Sequence, residues 1–306
     1  MTFASPFDLD QEDTYRRWRD AKLRNYPRTL EELLVEVADP WNLTPGERQA
    51  ILERCAKSNM ALYRIGRVAS QATGDKQPLP MALLTQLGVA DLDRNLGAGP
   101  DGQSALTPGG QGRAEFSGFV PYSAIGVGWH SDGCYNPMDR SVRTLALHCV
   151  RPAAEGGANR LLDQELLYIL LRDENPDHVR TLSHPQAMTV PPRLEGNRVA
   201  RPARPGPVFG VHPADGGLLV RYSSRKKNLH WLSLPGMEAA LAALRRHLNT
   251  PSPWHFEGRL EAGWGLISNN VLHTREPFHD PAGGPVRELY RARYHQRLPG
   301  PDGRMP

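Results

Sequence analysis

Apolar residues in the first hundred positions recur at helical spacing. Thr29-Leu30-Glu31-Glu32 has the form of a capping box, in which threonine and glutamate side chains each accept an otherwise unpaired backbone N–H. It predicts a helix running towards Val37. Thr44-Pro45-Gly46-Glu47 repeats that logic with proline at the first helical position, and Ala50, Ile51 and Cys55 continue it as an apolar face. Residues 59–65 then read as a strand and 78–87 as another short helix.

Further along, the period shortens to that of strands. Runs at 142–150, 186–190, 218–223, 264–269 and 287–296 carry strand composition. In the first, Leu145, Leu147 and Cys149 alternate with Thr144, Ala146 and His148, which predicts a half-buried strand. Helices interrupt the strands: Asp163 is placed to cap 164–172, and Asn175-Pro176 opens another. A longer helix over 235–248 aligns Met237, Leu241, Leu244 and Leu248 on one stripe, the signature of core packing. Two stretches rich in turn residues, 96–113 and 191–207, read as lid-like loops. The expected architecture is mainly β with helical decoration: a jelly-roll or cupin-like barrel (59–298) behind a helical N-terminal layer (1–58), all one domain over 1–306.

Composition narrows the function classes. With 39% hydrophobic and 23% charged residues over 306 positions, the chain reads as globular, and no apolar run is long enough for a membrane span. The stretch from Met1 to Asp13 is acidic and lacks the basic-then-apolar order of a signal peptide. Cys55, Cys134 and Cys149 form neither a disulfide framework nor a CxxC pattern, so a cytoplasmic setting is expected. The net charge is +4, and Arg225-Lys226-Lys227 is the only tight basic cluster. That footprint is too small for nucleic acid and fits anionic small molecules.

Candidate chemistry centres on Gly128-Trp129-His130-Ser131-Asp132-Gly133. On extended backbone, His130 and Asp132 project to the same face and can grip one metal ion. Taken alone, the pair reads equally as a capped turn, because Ser and Asp before glycine favour turns. His273, at the expected end of another strand, supplies a second imidazole. Two histidines and a carboxylate leave three positions of an octahedral metal open, a set suited to non-haem Fe(II) and O2. In the run Arg287-Glu288-Leu289-Tyr290-Arg291-Ala292-Arg293-Tyr294, Arg287, Leu289, Arg291 and Arg293 share one face of a strand. Arginines facing a barrel interior are costly unless they meet an anion, and a planar guanidinium suits a carboxylate. The other reading of that run is an edge strand with solvated charges.

These segments together resemble the taurine dioxygenase (TauD/TfdA-like) family of Fe(II)/2-oxoglutarate-dependent oxygenases. Trp129-His130-Ser131-Asp132-Gly133 is similar to its W-H-[ST]-D segment. The strand over 142–152 followed by Gly156-Gly157 resembles the strand and glycine pair that come next. Asn269-Asn270-Val271-Leu272-His273-Thr274-Arg275 is similar to the segment bearing the second histidine, and Arg287 to Arg291 to the closing arginine strand. The likeness extends over about 59–294.

The resemblance implies a double-stranded β-helix, iron held by His130, Asp132 and His273, and Arg287 on the distal carboxylate of 2-oxoglutarate. Arg291 matches a position that meets a substrate anion in some members. Where many relatives carry a threonine after the glycine pair, this chain has Ala158-Asn159, and the Asn159 amide can still donate to the cosubstrate. The implied reaction consumes O2 and 2-oxoglutarate, releases succinate and hydroxylates a small, anionic substrate. Trp129 and Tyr135 are expected to wall the site. Arg221, Arg225, Lys226 and Lys227 would add positive potential near its mouth, unless they are simply a solvated face. Two rivals stand beside this reading: a non-catalytic metal- or metabolite-binding jelly roll, and a zinc hydrolase that lacks an obvious general base. Homo-oligomers are compatible with any of them.

Overall fold

The structure is a computed structural model that describes residues 5–66, 77–112, 119–225 and 229–302. Two sheets carry the fold. Their strands are β1 (Leu34–Val37), β2 (Met60–Ile65), β3 (Ser104–Leu106), β4 (Val127–His130), β5 (Thr144–Arg151), β6 (Asn159–Leu162), β7 (Phe256–Gly258), β8 (Trp264–Ser268), β9 (Leu272–Arg275) and β10 (Glu288–Tyr294). The larger sheet has the order β1-β2-β8-β5-β10-β3, and the smaller one β7-β6-β9-β4. Leu62, Leu145, Leu147, Leu266 and Leu289 of the first sheet join Leu161, Leu162 and Leu272 of the second in one core cluster. The sheets therefore face each other, as in a jelly roll, and the site lies where β4 and β9 pair.

The second face of β5 is also buried. Ala146 on β5 packs with Ile267, Ala292 and Tyr294, and with residues of α3 (Pro45–Ser58) and α4 (Met81–Gln86), in a second cluster. The expected half-buried strand is thus buried over Thr144–Cys149 on both sides. Alternation in the sequence marks two different cores, not core and solvent. The N-terminal helices are likewise divided. While α3 and α4 cover the outer sheet face, α1 (Glu12–Leu23) packs against α5 (Gln164–Glu174), with the Tyr15 hydroxyl donating to Asp173 at 2.6 Å.

Both capping boxes form, at Thr29/Glu32 and Thr44/Glu47. The first one opens only a single turn, α2 (Leu30–Leu33), and the expected helix towards Val37 becomes β1. The alternating Leu34-Val35-Glu36-Val37 finds a parallel partner in β2, and that tertiary pairing overrides the local helix signal. The 96–113 loop contains strand β3 and a 3-10 turn over Pro108–Gly112, and its last residue lies outside the described residues. The 191–207 loop is largely a hairpin, with paired strands at Arg193–Glu195 and Arg198–Arg201. The helical stripe of Met237, Leu241, Leu244 and Leu248 is buried as expected, on α7 (Met237–Asn249), beyond α6 (Pro176–Leu182). No helix among the described residues is long and apolar enough to cross a membrane.

A buried ion network ties α1 to the site-bearing core. Lys22 Nζ lies 2.8 Å from Asp163 and 2.5 Å from Glu165, and Arg297 reaches Glu165 at 3.5 Å. Burial works against the Glu165 carboxylate, but Lys22 and then Arg297 outweigh it and hold its pKa below the ordinary value. Lys22→Met would strand two buried carboxylates beside a single cation, and we expect a loss of about 3–5 kcal/mol in urea unfolding. Because Glu165 has a depressed folded pKa, its contribution is full above the unfolded value of 4.5 and disappears as pH falls through the folded pKa. The wild-type urea midpoint should therefore decline on acidification below that value, and the decline should flatten in Glu165→Gln.

Candidate metal and cosubstrate site

Strand register creates the histidine pair. β4 and β9 run antiparallel with His130 directly opposite His273, and their ring centroids are 4.1 Å apart. The sequence places His273 at a strand end, whereas it lies inside its own strand. The chain leaves the larger sheet at Ser268, turns through Asn269-Asn270 and enters β9 of the smaller sheet at Leu272. His130 closes β4 as expected, and Asp132 follows two residues later.

Each imidazole is oriented by its own backbone. His130 Nδ1 meets Gly128 O at 2.9 Å, and His273 Nδ1 meets Val271 O at 3.0 Å. A carbonyl can only accept, so Nδ1 carries the proton and Nε2 keeps its lone pair. Burial, then the neighbouring His273, push the His130 pKa down to about 3, and burial lowers that of His273 too. Both rings are neutral at ordinary pH and able to ligate. Burial alone would raise the Asp132 pKa, but the guanidiniums of Arg291 and Arg293 outweigh it and keep the carboxyl ionised. One donor atom from each of His130, Asp132 and His273 lies within 4.8 Å of the others. The buried Oδ2 of Asp132 accepts no hydrogen bond. Two imidazole lone pairs and an ionised carboxylate, whose Oδ1 lies 3.8 Å from His130 Nε2, fit a divalent cation.

Asn270 holds the ligand segment in place. Its Oδ1 accepts from Asp132 N at 2.9 Å, and its Nδ2 donates to Asp132 O at 3.0 Å and Val142 O at 2.8 Å. It adopts a positive φ of 55°, a conformation that asparagine tolerates better than most residues. The segment's other side is tied down by Ser131, whose Oγ donates to Val220 O at 3.0 Å.

Arg287 is buried at 5% exposure, its guanidinium carbon 5.0 Å from the centre of the Phe278 ring. Among the described residues no carboxylate pairs with its side chain, and burial lowers its pKa from the ordinary guanidinium value. The glycine pair shapes this corner. Gly157 N donates to Pro277 O at 3.1 Å, and a Cβ on Gly156 would sit 2.4 Å from the same oxygen. Asn159 begins β6 and lines a cavity between the sheets together with His273, Leu62, Leu147, Leu161 and Leu266. The cavity is small, about 30 Å³, and apart from the His273 imidazole, the Asn159 amide and Arg259 its lining is mostly leucine.

The remaining expected residues divide. Tyr135 stands at the rim, 38% exposed, its hydroxyl accepting from Arg293 Nη1 at 3.0 Å. Trp129 does not face the histidines: its side chain lies on the opposite face of β4, against Arg160 and His255. Arg291 is directed at Asp132, with Nη1 3.2 Å from Oδ2, instead of at open space. Arg221 is buried and spent on the carbonyls of Cys134, Met188 and Arg204, Arg225 is exposed, and Lys226 and Lys227 lie outside the described residues. Sequence reasoning missed the roles of Asn270 and Arg275. Arg275 stacks on the other approach to Phe278 and donates to the carbonyls of Val120, Pro121, Ser123 and Ile125. The Asn-Asn pair before Val271 was the available signal for a left-handed turn.

Asn270→Gly keeps the backbone conformation accessible and removes only the side-chain clamp. We expect Fe(II) affinity, measured by anaerobic titration, to fall on the order of 10–100-fold, the usual range for losing a group that orients a ligand.

Comparison with known proteins agrees with this geometry. The model of the family described as "Taurine catabolism dioxygenase TauD, TfdA family" matches residues 90–293. A uridine-5'-phosphate dioxygenase from Amycolatopsis is 30% identical over 171 residues, 54% of this chain and 60% of that protein. The aligned stretch is therefore under two thirds of the relative's length. Among solved structures, an asparagine oxygenase in complex with Fe(II), 3-hydroxyasparagine and succinate superposes with a TM-score of 0.57 at 16% identity, covering 96% of this chain and 86% of that one. A taurine dioxygenase from Burkholderia xenovorans gives 0.55 at 18% identity, covering 89% and 91%. These two share the fold, a jelly-roll core with helical additions. Because the family model spans most of the chain, from the approach to β3 almost to the end of β10, the protein belongs to the TauD/TfdA family.

Proposed function

We propose that the protein is an Fe(II)/2-oxoglutarate-dependent dioxygenase that couples decarboxylation of 2-oxoglutarate to succinate with hydroxylation of a small anionic substrate. The observation that carries this reading is the convergence of His130, Asp132 and His273, together with an Arg287 that is buried and whose side chain makes no ion pair among the described residues. A non-catalytic metal binder has no need of that second feature, and family membership favours an enzyme.

His130, Asp132 and His273 would hold the iron, with 2-oxoglutarate between it and Arg287. Once bound, iron and cosubstrate supply the oxidation of a substrate C–H by O2, with succinate and CO2 as coproducts. The protein's own part is positioning and exclusion. Nδ1 bonds to Gly128 and Val271 fix both rings, so no tautomer change precedes ligation. Arg291 and Arg293 keep Asp132 ionised without competing for the histidines. Leu62, Leu147, Leu161 and Leu266 give the small cavity beside His273 apolar walls. Asn159 can donate a further hydrogen bond there. His130 is the more open of the two imidazoles, its side chain 22% exposed, so substrate would approach from its side. The name of the Amycolatopsis relative makes a nucleoside 5'-phosphate the first anion to test.

Anaerobic addition of Fe(II) and 2-oxoglutarate should produce the weak visible charge-transfer band of the chelate. His130→Ala should abolish it. Arg287→Gln should raise the 2-oxoglutarate concentration for half-maximal band on the order of 10–100-fold, the loss of a charge-assisted pair. A wild-type protein without the band, or a band untouched by His130→Ala, would falsify the assignment.

A further inference from the structure

The two oxygens of Asp132 have different neighbours. Oδ1 lies 3.8 Å from His130 Nε2. The ion pairs with arginine run instead through Oδ2, which is 3.2 Å from Arg291 Nη1 and 3.9 Å from Arg293 Nη1. Because the Asn270 amide already clamps the Asp132 backbone, the carboxylate can adjust only by turning its side chain. Which oxygen faces the histidines is therefore set by what holds the other.

Arg293 is the fixed member of the arginine pair. Its side chain is 2% exposed, and the register of β10 places it opposite Leu145 of β5. Nη2 lies 2.5 Å from Asp93 Oδ2, and Nη1 donates to the Tyr135 hydroxyl at 3.0 Å. Asp93 is itself tied along the end of β10. Its N donates to Arg293 O at 2.7 Å, and His295 N donates to Asp91 O at 2.8 Å. Asn136 Nδ2 also donates to Asp93 Oδ1 at 3.5 Å. A guanidinium pinned in this way keeps Nη1 beside Asp132.

Electrostatic affinity for a metal cannot be what these arginines supply. Two guanidiniums beside a ligand carboxylate repel a cation and weaken its attraction to that carboxylate. What they can supply is direction. A carboxylate binds a metal through one oxygen or through both. Through one, Asp132 and the two histidines leave three octahedral positions open, enough for a chelating keto acid and O2. Through both, the last position closes once the cosubstrate has bound.

We propose that Arg293, pinned by Asp93, and Arg291 are positioning residues that retain Oδ2 of Asp132 and present Oδ1 alone to the metal, keeping one coordination position free beside the bound cosubstrate. This rests on the dioxygenase reading above and adds the residues that keep its metal site open.

Nitric oxide, which occupies the position of O2 without turnover, provides the test. Anaerobic titration of the Fe(II) protein is followed by the electron paramagnetic resonance of the adduct. With 2-oxoglutarate present, Arg291→Gln/Arg293→Gln should keep the chelate band but lose nitric oxide affinity on the order of tenfold or more, the usual cost of removing a group that orients a ligand. Without 2-oxoglutarate a position stays open in either binding mode, so the affinity should not change. A role confined to folding or charge would move both titrations alike. Arg172→Gln removes a buried guanidinium committed to Glu12 and the carbonyls of Pro6 and Asp8, and it should alter neither titration. If the double variant does not fold, Arg291→Gln alone repeats the comparison. Unchanged affinity with 2-oxoglutarate bound overturns the proposal, and so does a loss equally large without it or in Arg172→Gln. The crystal structure of the Mn(II)-loaded protein separates this proposal from the reading beneath it. One Asp132 oxygen should ligate in the wild type and two in the double variant. Both oxygens ligating in the wild type overturns the positioning role. A single ligating oxygen in a wild type that gives no chelate band would sink the dioxygenase reading and leave the positioning role standing.

Discussion

The antiparallel pairing of β4 with β9 is the constraint on which the site depends. It sets His130 opposite His273, 143 positions further along the chain, with no side-chain contact needed to select the partner. Because strand side chains alternate, a slip of one residue would turn an imidazole out of the sheet interface. Leu272 and the paired Leu162 are fully buried, so such a slip would also expose core. The register that packs the core is the register that assembles the ligands.

Around that pair, charge is arranged so that each buried ion has a purpose. The β10 face presents Arg291 and Arg293 to Asp132, and Arg287, at the strand's start, is left without a carboxylate. Fully buried guanidiniums on one strand would destabilise the sheet if all were unpaired. Two meet the Asp132 carboxylate, and the side chain of the third makes no ion pair among the described residues. Elsewhere, the Lys22–Asp163–Glu165–Arg297 network is closed within the chain and has a structural role. The contrast separates a site from a strut on physical grounds: one has a charge left over.

Much of this was legible in sequence, for local reasons. The stripe on α7 reflects a burial period that the segment carries by itself, and the alternation over 144–149 marks a strand although both its faces are buried. Both capping boxes are contained in four residues and form as read. His130, Asp132, His273 and Arg287 could be picked out because metal and carboxylate chemistry allows few residue types. What failed was what depends on distant partners. The turn after Thr29 gave way to a strand because β2 was there to pair with it. Trp129 was assigned to the site because its sequence neighbour belongs there, yet adjacent strand residues face opposite ways. Arg291 looked free until folding brought Asp132 within 3.2 Å of it.

By itself, then, the sequence determined the period of each element, the identity of the ligand types and the family likeness they carry, since these are properties of short segments. Only the tertiary structure decided which histidine faces which, that Asn270 clamps the turn bearing Asp132, and that Arg291 meets Asp132. Those are statements about distance between residues far apart in the chain. Coulombic and hydrogen-bond energies depend on such distances, and they are fixed only once the sheets close.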